Sequence, residues 1–383
     1  MRRRTLYISK NWHTIKSREA HTMLIPYAKV EFSPELFIPE FTVNRYDNRT
    51  RQLLSEVPRN TVIATSTWYE SKDGVMKMDL ELRARLALEF CKKASELGYK
   101  TVVVDGGSDK GWRQTISSLE NVVLLDQQAK GFMAGRQEAY LYAANDGRKI
   151  IAASEPEKHP LVQHKDGHSP LAVAALPVYM GLADGTIPRR TDGLASYPAQ
   201  QAVAEADAAL SVYNLFVSYA KQHGLNIAVP YLDQQIGPRI LDKSLVGYLL
   251  HYPGFIKVRE PFSREDGASQ LLKLFEAYSS NPQGDFLAYP GVKELSQKLK
   301  NPPVEIKSYS HAVWEGHFVP FWKMILDGKH IGGVPVEYIH PREQTELESI
   351  DLSYDDKRNK QLITIATAAR RFLTSHEQGL VDW

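Results

Sequence analysis

At 383 residues the chain has room for two ordinary domains or one large α/β domain with additions, and its 43% hydrophobic and 24% charged composition is that of a globular protein with a sizeable core. A formal net charge of +2 offers no strongly basic surface for nucleic acid, no apolar run reaches the ~18 residues of a bilayer span, and the single cysteine, Cys91, can form no intrachain disulfide. Arg2, Arg3 and Arg4 follow Met1 with no apolar run behind them, so no secretory signal is read and a cytoplasmic enzyme or binding protein is expected.

Residues 1 to 60 mix charge, proline and aromatic residues without a period and read as an extension packed on a core that begins later. Thr61 to Thr65 is the first strand and runs into Ser66-Thr67-Trp68-Tyr69-Glu70. Asp79 is placed to cap a helix whose apolar positions, Leu82, Leu86, Phe90, Ala94 and Leu97, recur at helical spacing, and Gly98 ends it. Tyr99 to Asp105 follows at once as a strand. Its β-branched run Thr101 to Val104 is that of a strand buried on both faces of a parallel sheet. Asp105 is left at the carboxyl end, where open α/β sheets bind ligands, and Gly106 and Gly107 let a ligand approach the backbone. The same Asp-Gly-Gly-Ser also serves as a plain turn in which Asp105 accepts backbone N–H groups.

Trp112 to Leu119 reads as a helix and Val122 to Leu125 as a third strand. Gln128 to Gln137 opens another helix, with Gly131 at its mouth and Lys130 and Arg136 nearby; free N–H groups there suit an anion, although glycine-rich helix starts are also common as simple loops. Lys149 to Ala153 is a fourth strand, ending in Ser154-Glu155-Pro156-Glu157. Two carboxylates one residue apart suit a hard divalent cation, and equally an exposed acidic turn.

Leu171 to Leu182 is helical in pattern, and Gly185 to Arg190 leads into a polar loop. A long helix covers Ala199 to Lys221, and Asp233 to Ile240 is a compact turn carrying Arg239. Residues 262 to 305 look helical between loops. His311 to Leu326 is a helix bearing Glu315 and closed by Asp327-Gly328. Gly333 to Ile339 alternates as a half-buried strand and delivers His340, which is either a structural histidine or a ligand. The tail from Asp355 to Phe372 is an amphipathic helix.

In this order the motifs resemble the glycosyltransferases of the GT-A fold, the nucleotide-diphospho-sugar transferase type. T-S-T-W-Y-E is similar to the family's opening motif, V-V-V-D-G-G-S to its base-binding segment, and A-K-G-F-M-A-G-R-Q to the part contacting ribose and diphosphate. S-E-P-E stands where the family keeps Asp-x-Asp, and I-G-P-R-I resembles the acceptor-side turn. V-E-Y-I-H-P resembles retaining members such as mannosylglycerate synthase and glucosyl-3-phosphoglycerate synthase, in which a histidine completes the metal site. The resemblance covers about residues 61 to 345 and departs from the family in replacing Asp-x-Asp by Glu-Pro-Glu.

The resemblance implies an α/β fold with a mixed, mostly parallel sheet, divided into a nucleotide-sugar half over 61–160 and an acceptor half over 161–345, with a C-terminal helix over 346–383. It implies metal-dependent transfer of a sugar from a UDP- or GDP-sugar to a small hydroxyl acceptor, for which an anionic one is suggested, with retention favoured by the His340 resemblance and a homodimer left open. Thr65, Trp68, Glu70, Asp105, Gly106, Lys130, Gly131, Arg136 and Glu155 then face the donor. Glu157 and His340 hold Mn²⁺ or Mg²⁺. Asp233 and Glu315 are candidate bases for an inverting path, whereas under retention the departing diphosphate takes the proton. Arg239, with Arg189 and Arg190, suits an anionic acceptor because a guanidinium pairs bidentately with carboxylate or phosphate. The rival readings are an inactive scaffold of the same fold, a two-carboxylate glycoside hydrolase, and a sugar-1-phosphate nucleotidyltransferase. The last needs a glycine-rich basic loop where Trp68-Tyr69-Glu70 stands.

Overall fold

A computed structural model of the chain describes residues 48–71, 75–129, 131–164, 167–192, 194–227, 229–252, 254–258, 304–308, 315–350, 353–377 and 379, with backbone alone for 254–258, 304–308 and 353–364. Most of the N-terminal extension, Lys130, and the helical pattern expected over 262–303 lie outside the described residues.

Helix α1 (Asn48–Glu56) leads into β1 (Thr61–Thr67), α2 (Met78–Glu96) and β2 (Lys100–Asp105). The stop between α2 and β2 forms as expected: Gly98 takes φ +89°, a left-handed conformation that glycine adopts without steric cost. Asp79 is not the cap of α2, however. Lys77 occupies that position without a side-chain bond, and Asp79 lies in the first turn, where a carboxylate favours the helix dipole. Next come α3 (Lys110–Ser117), capped by the Asp109 carboxylate, then β3 (Val122–Asp126), α4 (Phe132–Ala144), β4 (Ile150–Ala153) and α5 (Pro170–Tyr179).

Gly185–Arg190, read as the approach to a loop, is a full strand, β5. Its pairing with β6 (Arg239–Asp242) ends at Thr186, two residues short of Pro188, so the missing proline N–H falls beyond that ladder. Arg239 and Ile240 thus belong to a strand rather than to a turn alone. Between them lies α6 (Ala199–Gln222); after β6 come α7 (Gly247–Leu250) and the antiparallel pair β7 (Gly254–Val258) and β8 (Val304–Ser308). Residues 304 and 305, assigned to the helical stretch, are therefore extended. Helix α8 (Glu315–Leu326), β9 (Ile331–Val336), α9 (Arg342–Ile350) and α10 (Ser353–Glu377) complete the chain.

The main sheet has seven strands in the order β3-β2-β1-β4-β6-β5-β9. All neighbouring pairs are parallel except those made by β6, which runs against β4 and β5. This is the mixed, mostly parallel α/β sheet expected, and it takes strands from both predicted halves without a break. Its core includes Val62, Ile63, Val102, Val103, Val104, Ile150 and Ile151 from the strands, with Phe90, Tyr140 and Leu171 from the covering helices. A second core joins α6, α8 and α10 through Phe216, Trp322 and Phe372, whose rings lie with centroids 5.6–6.2 Å apart. Ile365, Ala368, Ala369, Phe372 and Leu373 recur at helical spacing and bury one face of α10, so the C-terminal helix is built into this body.

Candidate functional site

Strand register gathers the candidate residues along one sheet edge. Thr67 lies opposite Asp105, Asp105 opposite Asp126, Ala153 opposite Arg239, and Arg190 opposite Val336. The carboxyl ends of β1, β2, β4, β5 and β9 therefore meet the start of reversed strand β6 on the edge where parallel sheets bind ligands.

On the β1–β2–β3 side, Asp105 is fully enclosed, with none of its side chain in solvent. Thr67 Oγ1 donates to it at 2.8 Å, the Ser108 and Gly107 backbone N–H groups at 2.9 and 3.2 Å, and the Ser108 hydroxyl and Arg113 guanidinium also donate. A carboxylate has about four lone-pair positions, so these donors fill it. Arg113 reaches on to Asp126, which is 74% exposed. The turn role of Asp105 is thus what the structure displays, and its expected bond to a base has no open lone pair. Thr65 is also inward: its Oγ1 is buried and makes no hydrogen bond among the described residues. Trp68 is 65% exposed and Glu70 is exposed, so both face solvent beyond β1. Gly106 donates its N–H to the Thr67 carbonyl at 2.8 Å, and Gly131, at φ +114°, opens α4 without a side-chain cap.

The β4–β6 side has the opposite character. Glu155 accepts from Arg136 Nη2 at 3.4 Å and lies 3.8 Å from Lys158 Nζ. Burial pushes its carboxyl upward, but the charges of Lys158, Arg136 and Arg83 outweigh this and hold it below the ordinary carboxylate range. Arg136 is aimed inward: its Nη1 lies 2.7 Å from His317 Nδ1 and its guanidinium covers the Phe132 ring at 4.2 Å. Burial and the charges of Arg136 and Arg239 keep His317 well below the usual histidine range, so it is neutral and its Nδ1 accepts from the guanidinium, which can only donate.

Arg239 is 1% exposed. Its guanidinium donates to the carbonyls of Gln234, Gly237, Pro238 and His317 at 2.6–3.3 Å, and among the described residues no carboxylate lies within ion-pair distance of it. Burial draws its pKa down to about 10, which leaves it charged at neutral pH. Gly237 turns the chain here at φ +101°, and a Cβ at this position would stand 3.3 Å from Glu155 Oε2 and 3.4 Å from Lys158 Cε.

At the end of β5, Arg190 grips Asp233 bidentately, Nε to Oδ2 at 2.6 Å and Nη2 to Oδ1 at 2.5 Å, and also donates to Glu205 at 2.7 Å. Asp233 is thereby held as a counterion, and Arg190 spends Nε and Nη2 on protein partners while its buried Nη1 has no hydrogen-bond partner among the described residues. Glu315 is half-buried at the start of α8; burial pushes the Tyr252 phenol well up, and the charge of Glu315 adds to it. His340 is buried; its backbone N–H donates to Ser196 Oγ at 2.9 Å, its Nδ1 lies 2.7 Å from Thr345 Oγ1, and its ring stacks on Tyr197 at 4.1 Å.

Among the described residues Glu157 and His340, expected to hold a metal, are not brought together in a set of three or more His, Cys, Asp or Glu side chains. Glu157 accepts from the Tyr69 hydroxyl at 2.9 Å, and Glu155 is taken up by two cations. A divalent ion placed at Glu155 would meet the like charges of Arg136 and Lys158. Lys158 and His317 were not singled out by the sequence reading. Lys158 stands three residues after Glu155, a spacing at which opposite charges meet on a turn, whereas nothing local foretells that His317 meets Arg136 from 181 residues away.

No protein-family model matches the chain, and no curated protein matches it. Among solved structures, the chain is similar to a protein assigned as a nucleotide-diphospho-sugar transferase from Desulfovibrio desulfuricans G20, at 10% identity and TM-score 0.33 over 80% of this chain and 97% of the other. It is also similar to glucosyl-3-phosphoglycerate synthase from Mycobacterium tuberculosis in complex with Mn²⁺, UDP and glucosyl-3-phosphoglycerate, at 11% identity and TM-score 0.41 over 86% and 88%. The same enzyme in complex with UDP aligns at 11% identity and TM-score 0.40.

Proposed function

We propose that the chain is a glycosyltransferase that moves a sugar from a nucleoside-diphosphate sugar to a small hydroxyl acceptor. The observation that carries the reading is an exposed aromatic ring, Trp68, just past the carboxyl end of β1, with a cluster of fixed cations, Arg136 on α4, Lys158 after neighbouring β4 and Arg239 on β6. A flat exposed ring suits stacking on a nucleobase, and fixed cations suit a diphosphate. Asp105 organises the loop beneath the base rather than binding it, because its lone pairs are occupied.

In the reaction the bond from the anomeric carbon to the β-phosphate oxygen breaks with its electron pair on the diphosphate, and the acceptor oxygen forms the new glycosidic bond. The charge that develops on the diphosphate falls beside Lys158 and within the field of Arg136 and Arg239, where preorganised cations act without reorganisation. Because Asp233 is pinned by Arg190 and Glu315 sits beside Tyr252, the path that uses the diphosphate as proton acceptor suits this site best. That path retains the anomeric configuration.

The test is release of UDP or GDP from a panel of nucleotide sugars, with and without small hydroxy acids and phosphorylated hydroxy acids, run beside thermal unfolding with the same donors. One donor should raise stability by about 2.7 kcal/mol at a hundredfold excess over its Kd and turn over faster with an acceptor. Stabilisation without turnover in any combination would favour the scaffold reading. No stabilisation by any donor would remove the nucleotide-sugar assignment.

A further inference from the structure

The charge around Glu155 does not balance. Arg136 and Lys158 both address this one carboxylate, and among the described residues Arg239 hydrogen-bonds only to carbonyls. Glu205 and Asp233 also act on Lys158 and Arg239, but both are held by Arg190, so Arg136, Lys158, Arg239 and Arg190 outnumber Glu155, Glu205 and Asp233 by one. Buried charge is costly unless compensated, and that surplus calls for an anion. The cluster is also reachable, since Lys158 and Glu155 keep 14% and 21% of their side chains in solvent while Arg136 and Arg239 are sealed beneath. Burial draws the Lys158 ammonium down, but Tyr338, Glu155 and Glu205 outweigh this and the charge of Arg190, and hold it above its ordinary range. Gly237 turns the chain against the ion pair at φ +101°, a backbone conformation that strains any larger residue.

We infer that these cations take the place of a divalent metal: Lys158 contacts the donor diphosphate directly, Arg136 and Arg239 position it and fix the positive potential, and donor binding needs no metal ion. The inference rests on the nucleotide-sugar reading for the identity of the ligand, but the anion site stands on the cluster itself.

Titration calorimetry of the full chain with UDP, GDP and inorganic pyrophosphate, in EDTA and separately in Mn²⁺ or Mg²⁺, tests it. Affinity in EDTA should lie within about threefold of that in metal, and Lys158→Ala should weaken it by about tenfold or more, with Lys158→Arg restoring most of the loss. Lys158→Met keeps the stem and its packing, and serves where the alanine variant folds poorly. Pyrophosphate binding in EDTA that depends on Lys158, with neither nucleotide bound, would keep the anion site and discard the nucleotide-sugar reading. Nucleotide binding that appears only with metal would overturn the inference and leave that reading in place. Binding that ignores Lys158→Ala, or no binding of any of the three, would also overturn it.

Discussion

The two halves of the sheet edge solve the same problem, a buried charge, in opposite ways. At the β2 end one carboxylate, Asp105, is surrounded by more donors than it needs, all supplied by the protein within a few residues of it or from β1. At the β4–β6 end two cations, Arg136 and Lys158, share one carboxylate, Glu155, with Arg239 nearby. The first arrangement is complete by itself and works as a brace. The second is incomplete and works as a receptor, so the two ends should respond to substitution in different observables, stability on one side and affinity on the other.

The largest expected effect is at the brace. Asp105→Ala strands Arg113 and the donors of Thr67 and Ser108, and urea unfolding should show a loss of about 3–5 kcal/mol. A loss confined to nucleotide affinity with stability unchanged would reverse the comparison. Next is Asp233→Asn, which leaves Arg190 with Glu205 as its remaining carboxylate; a cost of about 2–3 kcal/mol is expected in the same measurement. His317 supplies a pH signature for the receptor side. Its folded pKa lies well below the unfolded value of about 6.5, so the unfolded chain takes up a proton that the folded one refuses. Stability is therefore complete above that pH and falls as pH drops through it, by about 1.4 kcal/mol per unit until the folded pKa is reached. His317→Asn keeps an acceptor for Arg136 and should flatten that slope. The smallest effect is Glu157→Gln: its amide oxygen still accepts from Tyr69, so stability should change by less than about 1 kcal/mol and metal-free nucleotide affinity should hold.

These contrasts also explain what the chain reveals of itself before folding. The alternation of strand and helix from Thr61 to Ala153 was legible because its signals are local: β-branched runs, helical spacing, and Gly98 as a stop. Strand β5 was not, since Pro188 argues against a strand and only the position of β9 and the short β6 ladder make room for it. The candidate site was legible as a place rather than as a mechanism. Glu155, Arg136 and Arg239 were all marked from their positions at element ends, but which carboxylate answers which cation depends on contacts across long separations. The bidentate hold of Arg190 on Asp233 spans 43 residues and converts a candidate base into a counterion. Lys158 became visible only when Glu155 proved to need a partner.

Gly237 carries a consequence for how this site can vary. A side chain there is opposed twice, by a backbone conformation of φ +101° and by Glu155 and Lys158 at 3.3–3.4 Å. The floor of the receptor beside β6 is therefore constrained chiefly by the backbone, and an added methyl also asks Glu155 to give by a few tenths of an ångström. A library aimed at changing anion preference would find its tolerant positions on the opposite rim, at the exposed Trp68 and Glu70, while Gly237 returned glycine alone.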